Sequence, residues 1–365
     1  MPEIDDSVVK SNLEKLAKSY KLELDEIIKI VLEKDYSVVG LQLPEGLKIY
    51  AETIKDHIED RLQKQDHDLT VIISGEPCYG ACDLVDDRYK QMGVEAIFHF
   101  GHAELPNLGQ SEIPVYFIQT ASTLELKNVL NKLITYMKKH EDEFGAKSKI
   151  GLITTVQHIH LLKIAKNFLE KNKFKTFIGK GDARIKFDGQ VLGCNFSAAT
   201  SIKNKVDLFL FIVSGNFHPL GVSLATGKQV IIADPYTNEI RDIKKIHETI
   251  LRQRGGAIAR AMDANAFGIL ISIKPGQNRQ KLAMELKKLI KEHNKRSYLI
   301  ALSEFEPLKL KAFKVDSFVS TGCPRIAIDD YLKYDAPILT PVELEIVLGE
   351  KNWEQYEFDQ ILADD

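Results

Sequence analysis

The apolar residues over 11–33 recur with the period of a helix, with Leu13, Leu16, Ala17, Leu22, Ile27, Ile28 and Val31 on its apolar faces. The run "YSVVGLQL" that follows reads as a strand and stops at Pro44. An amphipathic segment, "YAETIKDHIEDRLQ", separates it from three more strand-like runs, "LTVIIS", "VEAIFHF" and "IPVYFIQT". Strand candidates set apart by helices or loops are the mark of a parallel sheet. The pattern restarts at "KIGLITTV", with the helix "HLLKIAKNFLEKN" and then "KTFIG", "VDLFLFIVSG" and "QVIIADPY". It restarts again at "AFGILIS", with the helix "NRQKLAMELKKLIKEHNK" and then "SYLIALS", "VDSFVSTG" and "APILTPVE". Three phrases align, "VEAIFHFGHAELP", "VDLFLFIVSGNFHP" and "VDSFVSTGCPRIAI", each a strand running into a turn rich in Gly, His or Pro.

The restarts predict an α/β protein of three related parallel-sheet domains. N-terminal helices over 1–34 precede domains over 35–140, 141–255 and 256–365, the last ending in a C-terminal tail. One continuous doubly wound sheet is the alternative. A chain of 365 residues exceeds one ordinary core, which agrees with several domains. A net charge of -3 supplies no basic field for nucleic acid. No apolar run is long enough to span a bilayer, and "MPEIDDSVVK" lacks the apolar centre of a secretory signal. The expectation is a cytoplasmic protein with no nucleic-acid or membrane partner.

Cysteine usage sharpens the picture. Four cysteines spread over a long chain are no disulfide framework, and metal or catalytic use fits a reducing compartment better. In open parallel sheets, ligands sit beyond the carboxyl ends of the strands. Cys78 and Cys82 follow the second strand of the first domain, Cys194 the second strand of the next, and Cys323 the third strand of the last. Gly80-Ala81 precedes Cys82, Gly193 precedes Cys194 and Gly322 precedes Cys323, whereas Cys78 follows Pro77. Glycine lets backbone approach a bulky ligand and offer N–H groups to its sulfurs. The favoured set is therefore Cys82, Cys194 and Cys323, one per domain, with Cys78 outside it. More than a hundred residues separate consecutive members, which rules out a local zinc motif and suits a site at a junction of domains. Three thiolates on a four-iron cluster leave one iron open to a substrate.

Five stretches carry a resemblance. "LQLPEGL" (41–47), "YGACDL" (79–84), "LGCN", "KPGQ" (274–277) and "TGCPRIAIDD" (321–330) span nearly the whole chain in order. In these the chain resembles the archaeal diphthamide-synthesis enzymes, 3-amino-3-carboxypropyl transferases of an atypical radical S-adenosylmethionine type. The resemblance implies three similar domains around a central iron–sulfur site, with a 4Fe–4S cluster held by Cys82, Cys194 and Cys323. It also implies a homodimer. S-adenosylmethionine would be the substrate, an unidentified donor would reduce the cluster, and the 3-amino-3-carboxypropyl group would go to a histidine of translation elongation factor 2. The CxxxCxxC spacing of ordinary radical S-adenosylmethionine enzymes is absent from the chain.

Strand-end polar residues are the candidate S-adenosylmethionine contacts: Gln42 and Glu45 in the first domain, Ser214, Gly215 and His218 in the second, Lys274 and Gln277 in the third. Arg325, two residues past Cys323, is placed to grip a carboxylate with both arms, or to pair with Asp329 or Asp330. "GVSLATGKQ" imitates a phosphate loop but has the wrong glycine spacing and no following Ser or Thr. "HIH" (158–160), with His99 and His102, is read as solvated or capping and not as a zinc site. Two other functions remain open: a quinolinate-synthase-like 4Fe–4S dehydratase, and a non-catalytic iron–sulfur partner subunit.

Overall fold

Three apolar runs, "VVGLQ", "KIGLIT" and "AFGILIS", become inner strands of three separate sheets. The structure, a computed structural model, describes residues 6–84, 86–106, 111–145 and 148–365. The chain packs as two units. One runs to Asn128 and takes in Thr155–Ala165; the other comprises Val129–Thr154 and Lys166–Asp365.

The first unit begins with helices Asp6–Ala17 and Leu24–Lys34. The single helical stretch expected over 11–33 is broken in two, and the first five residues of the expected N-terminal segment lie outside the described residues. The break has a local cause. β1 (Tyr20–Lys21) pairs antiparallel with β6 (Ala121–Ser122), which takes the backbone out of the helix, and Glu23 is left-handed at φ 55°. The main sheet holds β2 (Val38–Gln42), β3 (Thr70–Ile73), β4 (Ala96–Phe100) and β5 (Val115–Ile118), all parallel, in the order β3-β2-β4-β5. Ile54, Ile58 and Leu62 of helix Ala51–Gln63 share one core with Val39 and Leu41 of β2 and with Ile27 and Val31.

The second unit carries two sheets. In one, β7 (Lys149–Thr154), β8 (Lys175–Phe177), β9 (Leu208–Ile212) and β10 (Gln229–Asp234) are parallel. β11 (Glu239–Asp242) adds an antiparallel edge that its polar sequence, "EIRD", does not announce. In the other, β12 (Ala266–Ser272), β13 (Arg296–Leu302), β14 (Ser317–Ser320) and β15 (Ile338–Leu339) are parallel. The orders are β11-β10-β9-β7-β8 and β13-β12-β14-β15. In every main sheet among the described residues, the strand that comes first in the chain lies between the second and the third. That arrangement creates a switch point, where loops leaving the carboxyl ends of neighbouring strands diverge and open a crevice. No helix among the described residues is long and apolar enough to cross a membrane.

A buried ion pair locks the third sheet to its helices. Arg254, on helix Lys244–Ala261, is 1% exposed and Glu343, on helix Pro341–Val347, is fully buried. Arg254 Nε donates to Glu343 Oε1 at 2.7 Å, Nη2 to Oε2 at 2.5 Å and to the Ile338 carbonyl at 2.7 Å, and Nη1 to the Ala327 carbonyl. Removing one partner strands a buried charge, at a cost of about 3–5 kcal/mol. The Glu343→Ala protein should lose that much in urea unfolding, whereas the paired Arg254→Met, Glu343→Leu replacement should recover most of it. Equal losses in both would mean that the ion pair is not the origin of the effect.

Candidate functional site

Polar groups shape the loop after β3. Pro44 ends the extended run and caps a short helix, Glu45–Lys48. Glu45 Oε1 accepts from Lys48 Nζ at 2.7 Å and from the Cys78 amide at 3.3 Å. The hydrogen bond from Lys48 holds the Glu45 carboxyl below its ordinary value. Lys48 Nζ also donates to the carbonyls of Gly75 at 3.3 Å and Glu76 at 2.7 Å, so this pair fastens the loop's first half. The second half closes on Asp83. Its buried carboxylate accepts from the amides of Tyr79 at 2.7 Å and Gly80 at 2.9 Å. Gln42 Nε2 donates to the Asp83 carbonyl at 2.5 Å. Cys82 lies half-buried in the turn Ala81–Asp83. A Cβ added at Gly80 would sit 3.2 Å from the Cys82 sulfur, so glycine there leaves the thiol its space.

His99 and His102 stand behind the same loop. His99 is the register partner of Gln42 across β2 and β4. Burial drives the His99 imidazole well below its usual value and His102 down to about 4, so both are neutral near pH 7. Setting these two aside as solvated or capping therefore does not match their burial. The "HFGH" spacing was the available signal, but it says nothing about the third partner, Cys78.

In the second unit, the loops of Cys194 and Cys323 meet. A Cβ at Gly193 would come 3.0 Å from the Phe217 ring and 3.4 Å from Arg325 Cδ. The Arg325 guanidinium carbon rests 3.5 Å from the centre of that ring, and the Arg325 side chain pairs with Asp329 at 2.9 Å. At Gly322 a Cβ would meet Phe305 at 2.9 Å and Ser272 at 3.3 Å, so the backbone before Cys323 packs too closely for any side chain. Cys194 and Cys323 are both half-buried. Arg279 ties the loops together. It donates to the carbonyls of Thr321 at 2.8 Å and Gly322 at 3.3 Å, and to both Asp359 oxygens, at 2.9 and 2.6 Å. It also donates to the Gln360 carbonyl at 3.0 Å. The segment that holds Asp359 then continues onto the other loop. The Ile361 amide donates to the Cys194 carbonyl at 2.8 Å, and the fully buried Asn195 donates to the Ile361 carbonyl at 2.9 Å and to Asp182 at 2.8 Å.

Arg184 completes the cradle. It is 3% exposed, hydrogen-bonds the Cys194 side chain and donates to the Gly276 carbonyl at 2.9 Å. Its Nε has no hydrogen-bond partner among the described residues. Burial pushes the Cys194 thiol up, while Arg184 and Arg279 pull it down. A buried guanidinium edge without an acceptor, two glycines that a Cβ would crowd and two half-buried thiols are a donor set suited to a sulfur-rich group.

The remaining candidates are placed as follows. Gln42 is fully buried and uses its amide on Asp83 and His99. Ser214 and Gly215 are exposed; Gly215 turns at φ 85° and its carbonyl accepts from Arg241 at 3.2 Å. The His218 ring lies against Phe217 and Phe211. Lys274 pairs with Glu304, and Gln277 Oε1 accepts from Ser272 at 3.4 Å. Cys82, Gln42 and Glu45 belong to the first unit, and the other candidates to the second.

Comparison with known proteins supplies a frame for these loops. A family model described as "Putative diphthamide synthesis protein" matches residues 43–358. The 2-(3-amino-3-carboxypropyl)histidine synthase of Pyrococcus horikoshii is 40% identical over 347 residues, covering 93% of this chain and 95% of that protein. The synthase of the same name from Methanocaldococcus jannaschii is 29% identical over 360 residues, covering 96% of each. The crystal structure of Dph2 from Pyrococcus horikoshii with a 4Fe–4S cluster superposes with a TM-score of 0.83 at 39% identity, over 94% of this chain and 95% of that one.

The role given to Arg279 has a direct test. Replacing Asp359 by Ala leaves a buried guanidinium unpaired, and a loss of about 3–5 kcal/mol is expected. If only a third of it goes into opening the loops, Cys194 becomes about tenfold more reactive. Alkylation of cluster-free protein, followed by peptide mass spectrometry, should show that gain at Cys194 and Cys323. An unchanged rate at both would separate the Arg279 contact from loop closure.

Proposed function

The chain belongs to the diphthamide-synthesis family, and on that premise we propose that it is a 2-(3-amino-3-carboxypropyl)histidine synthase. In this reading it transfers the 3-amino-3-carboxypropyl group of S-adenosylmethionine to an imidazole carbon of one histidine in translation elongation factor 2. It works in the cytoplasm as a homodimer with a separate electron donor. The observation that carries the reading is the Arg279 tie, which holds two of the three glycine-linked cysteines on loops pressed together.

Cys82, Cys194 and Cys323 would hold the 4Fe–4S cluster, with Arg184 donating to the Cys194 sulfur. When bound, the cluster supplies the electron that breaks the bond between the sulfonium and the methionyl γ-carbon. The protein's own part is binding and aim. Arg325 is 38% exposed and stacked on Phe217, so it can exchange Asp329 for the substrate carboxylate without losing its seat. Ser214, His218, Lys274 and Gln277, with the backbone of Gly215, are the proposed polar contacts of the second unit; Gln42 and Glu45 serve in the first by shaping the Cys82 loop. Which carbon is presented decides which bond breaks, because displacements of a few tenths of an ångström separate productive from unproductive geometry.

The test is the product. Anaerobic protein reduced with dithionite should convert S-adenosylmethionine to 5′-methylthioadenosine. With elongation factor 2 present, a mass gain should appear on one histidine-bearing peptide. Cys82→Ala, Cys194→Ala and Cys323→Ala should each lose iron and cleavage together, and Arg325→Lys should raise the KM for S-adenosylmethionine more than it lowers kcat. Release of 5′-deoxyadenosine would assign another radical class. Survival of S-adenosylmethionine would return the dehydratase or partner-subunit readings.

A further inference from the structure

Cys78, His99 and His102 offer three ligand atoms to one point at the switch point of the first sheet, and nothing in the reading above uses them. The protonation of His99 follows from its neighbours. The Asp83 carbonyl can only accept, so the end of the Gln42 amide that faces it is the NH₂. Gln42 Oε1 therefore faces His99 Nδ1, 2.9 Å away, and it too can only accept, so Nδ1 carries the proton. The lone pair of His99 is left on Nε2. That atom lies 2.9 Å from His102 Nδ1 and 3.9 Å from the Cys78 sulfur, and the three residues can each bring one ligand atom within 4.8 Å of the others.

A tetrahedral zinc ion with bonds of about 2.0–2.1 Å to nitrogen and about 2.3 Å to sulfur needs its ligand atoms roughly 3.3–3.6 Å apart. The trio reaches that spacing with side-chain shifts on the order of 1 Å or less. Gln42 stands to His99 as a carboxamide that fixes the tautomer of a metal-bound imidazole. Glu45 pins the Cys78 amide. His99 is fully buried and Cys78 is 1% exposed, so water is largely kept out, while half-buried His102 marks the way in. We propose that Cys78 Sγ, His99 Nε2 and His102 Nδ1 form a second metal site, distinct from the cluster ligands, that takes a divalent cation of the zinc class with water in the fourth position. On binding, the sulfur–metal bond replaces the Cys78 S–H bond and the thiol proton leaves to solvent; the proton with which His102 Nδ1 bridges to His99 Nε2 gives way to the metal and the His102 ring is protonated at Nε2 instead, with no change of oxidation state. The ion fastens the loop that carries Cys82 to the end of β4. This inference does not depend on the proposed transferase activity.

Cobalt(II) is the probe. The Cys82→Ser, Cys194→Ser, Cys323→Ser protein should bind about one cobalt per chain, with one thiolate-to-cobalt charge-transfer band and the visible absorption of a tetrahedral ion. Adding Cys78→Ser should abolish the charge-transfer band, His102→Gln should weaken binding about tenfold or more, and zinc should displace the cobalt. A second measurement covers poor folding of the triple variant. Anaerobically purified full-length protein should contain about one zinc per chain besides its iron, and His102→Gln should lose the zinc while keeping the iron. Absence of zinc from the full protein, or a cobalt spectrum unchanged by Cys78→Ser, would overturn the site and leave His99 and His102 as a hydrogen-bonded pair without metal.

Discussion

The buried pair of Arg279 and Asp359 is the constraint on which the second unit's site depends. The two residues are 80 positions apart in the chain and almost wholly enclosed. A guanidinium out of water is tolerable only when its donors are matched, and here Nε, Nη1 and Nη2 all find acceptors. Three of those acceptors are backbone carbonyls. The charge that holds the C-terminal segment in place thus also fixes the path of the chain before Cys323, and the segment in turn caps the Cys194 loop.

The same device recurs wherever a cysteine is presented. Glycine-bearing loops have few side chains to pack, so hydrogen bonds from elsewhere must set their shape. Asp83 and Gln42 do this for Cys82, Asn195 and Asp182 for Cys194, and Arg279 for Cys323. Each supporting group is polar, and in these contacts all but Asp182, which holds the Asn195 side chain, act on backbone. The thiols of Cys82, Cys194 and Cys323 themselves stay half-buried. Rigid scaffolding behind an accessible sulfur is what a site needs if small displacements decide which bond of a substrate reacts.

Sheet order adds a second level of control. With the first strand between the second and third, the loops that leave its neighbours part company at the carboxyl ends. In the first sheet, the cross-strand neighbours Gln42 and His99 stand at that place, and the Cys78 loop folds over them. In the third, Ser272 at the end of β12 lies under Gly322. The polar groups are there because a strand end is the one part of a buried strand with backbone atoms and space free for something other than the next residue of the ladder.

Sequence alone determined the apolar strands and the glycine–cysteine loops, since both are local matters. A buried strand is a short run of apolar residues, and a Gly beside a Cys marks a backbone that must come close to something. "AFGILIS" and "LGCN" carry these signals within a few residues. The placement of the cysteines beyond the carboxyl ends of strands followed from counting strands. Tertiary structure decided what joins distant segments. The antiparallel pairing of Tyr20–Lys21 with Ala121–Ser122 cut a helix that its periodicity had predicted whole. The polar strand Glu239–Asp242 forms because β10 offers it an edge. Arg184, Arg279 and Asp359 were not singled out, for an arginine or aspartate has the same local pattern whether it faces water or a buried partner. Cys78, His99 and His102 converge only because β2 and β4 lie side by side and a loop from β3 closes over them. Periodicity records which face of an element is apolar; it holds no record of which buried polar atom will meet which.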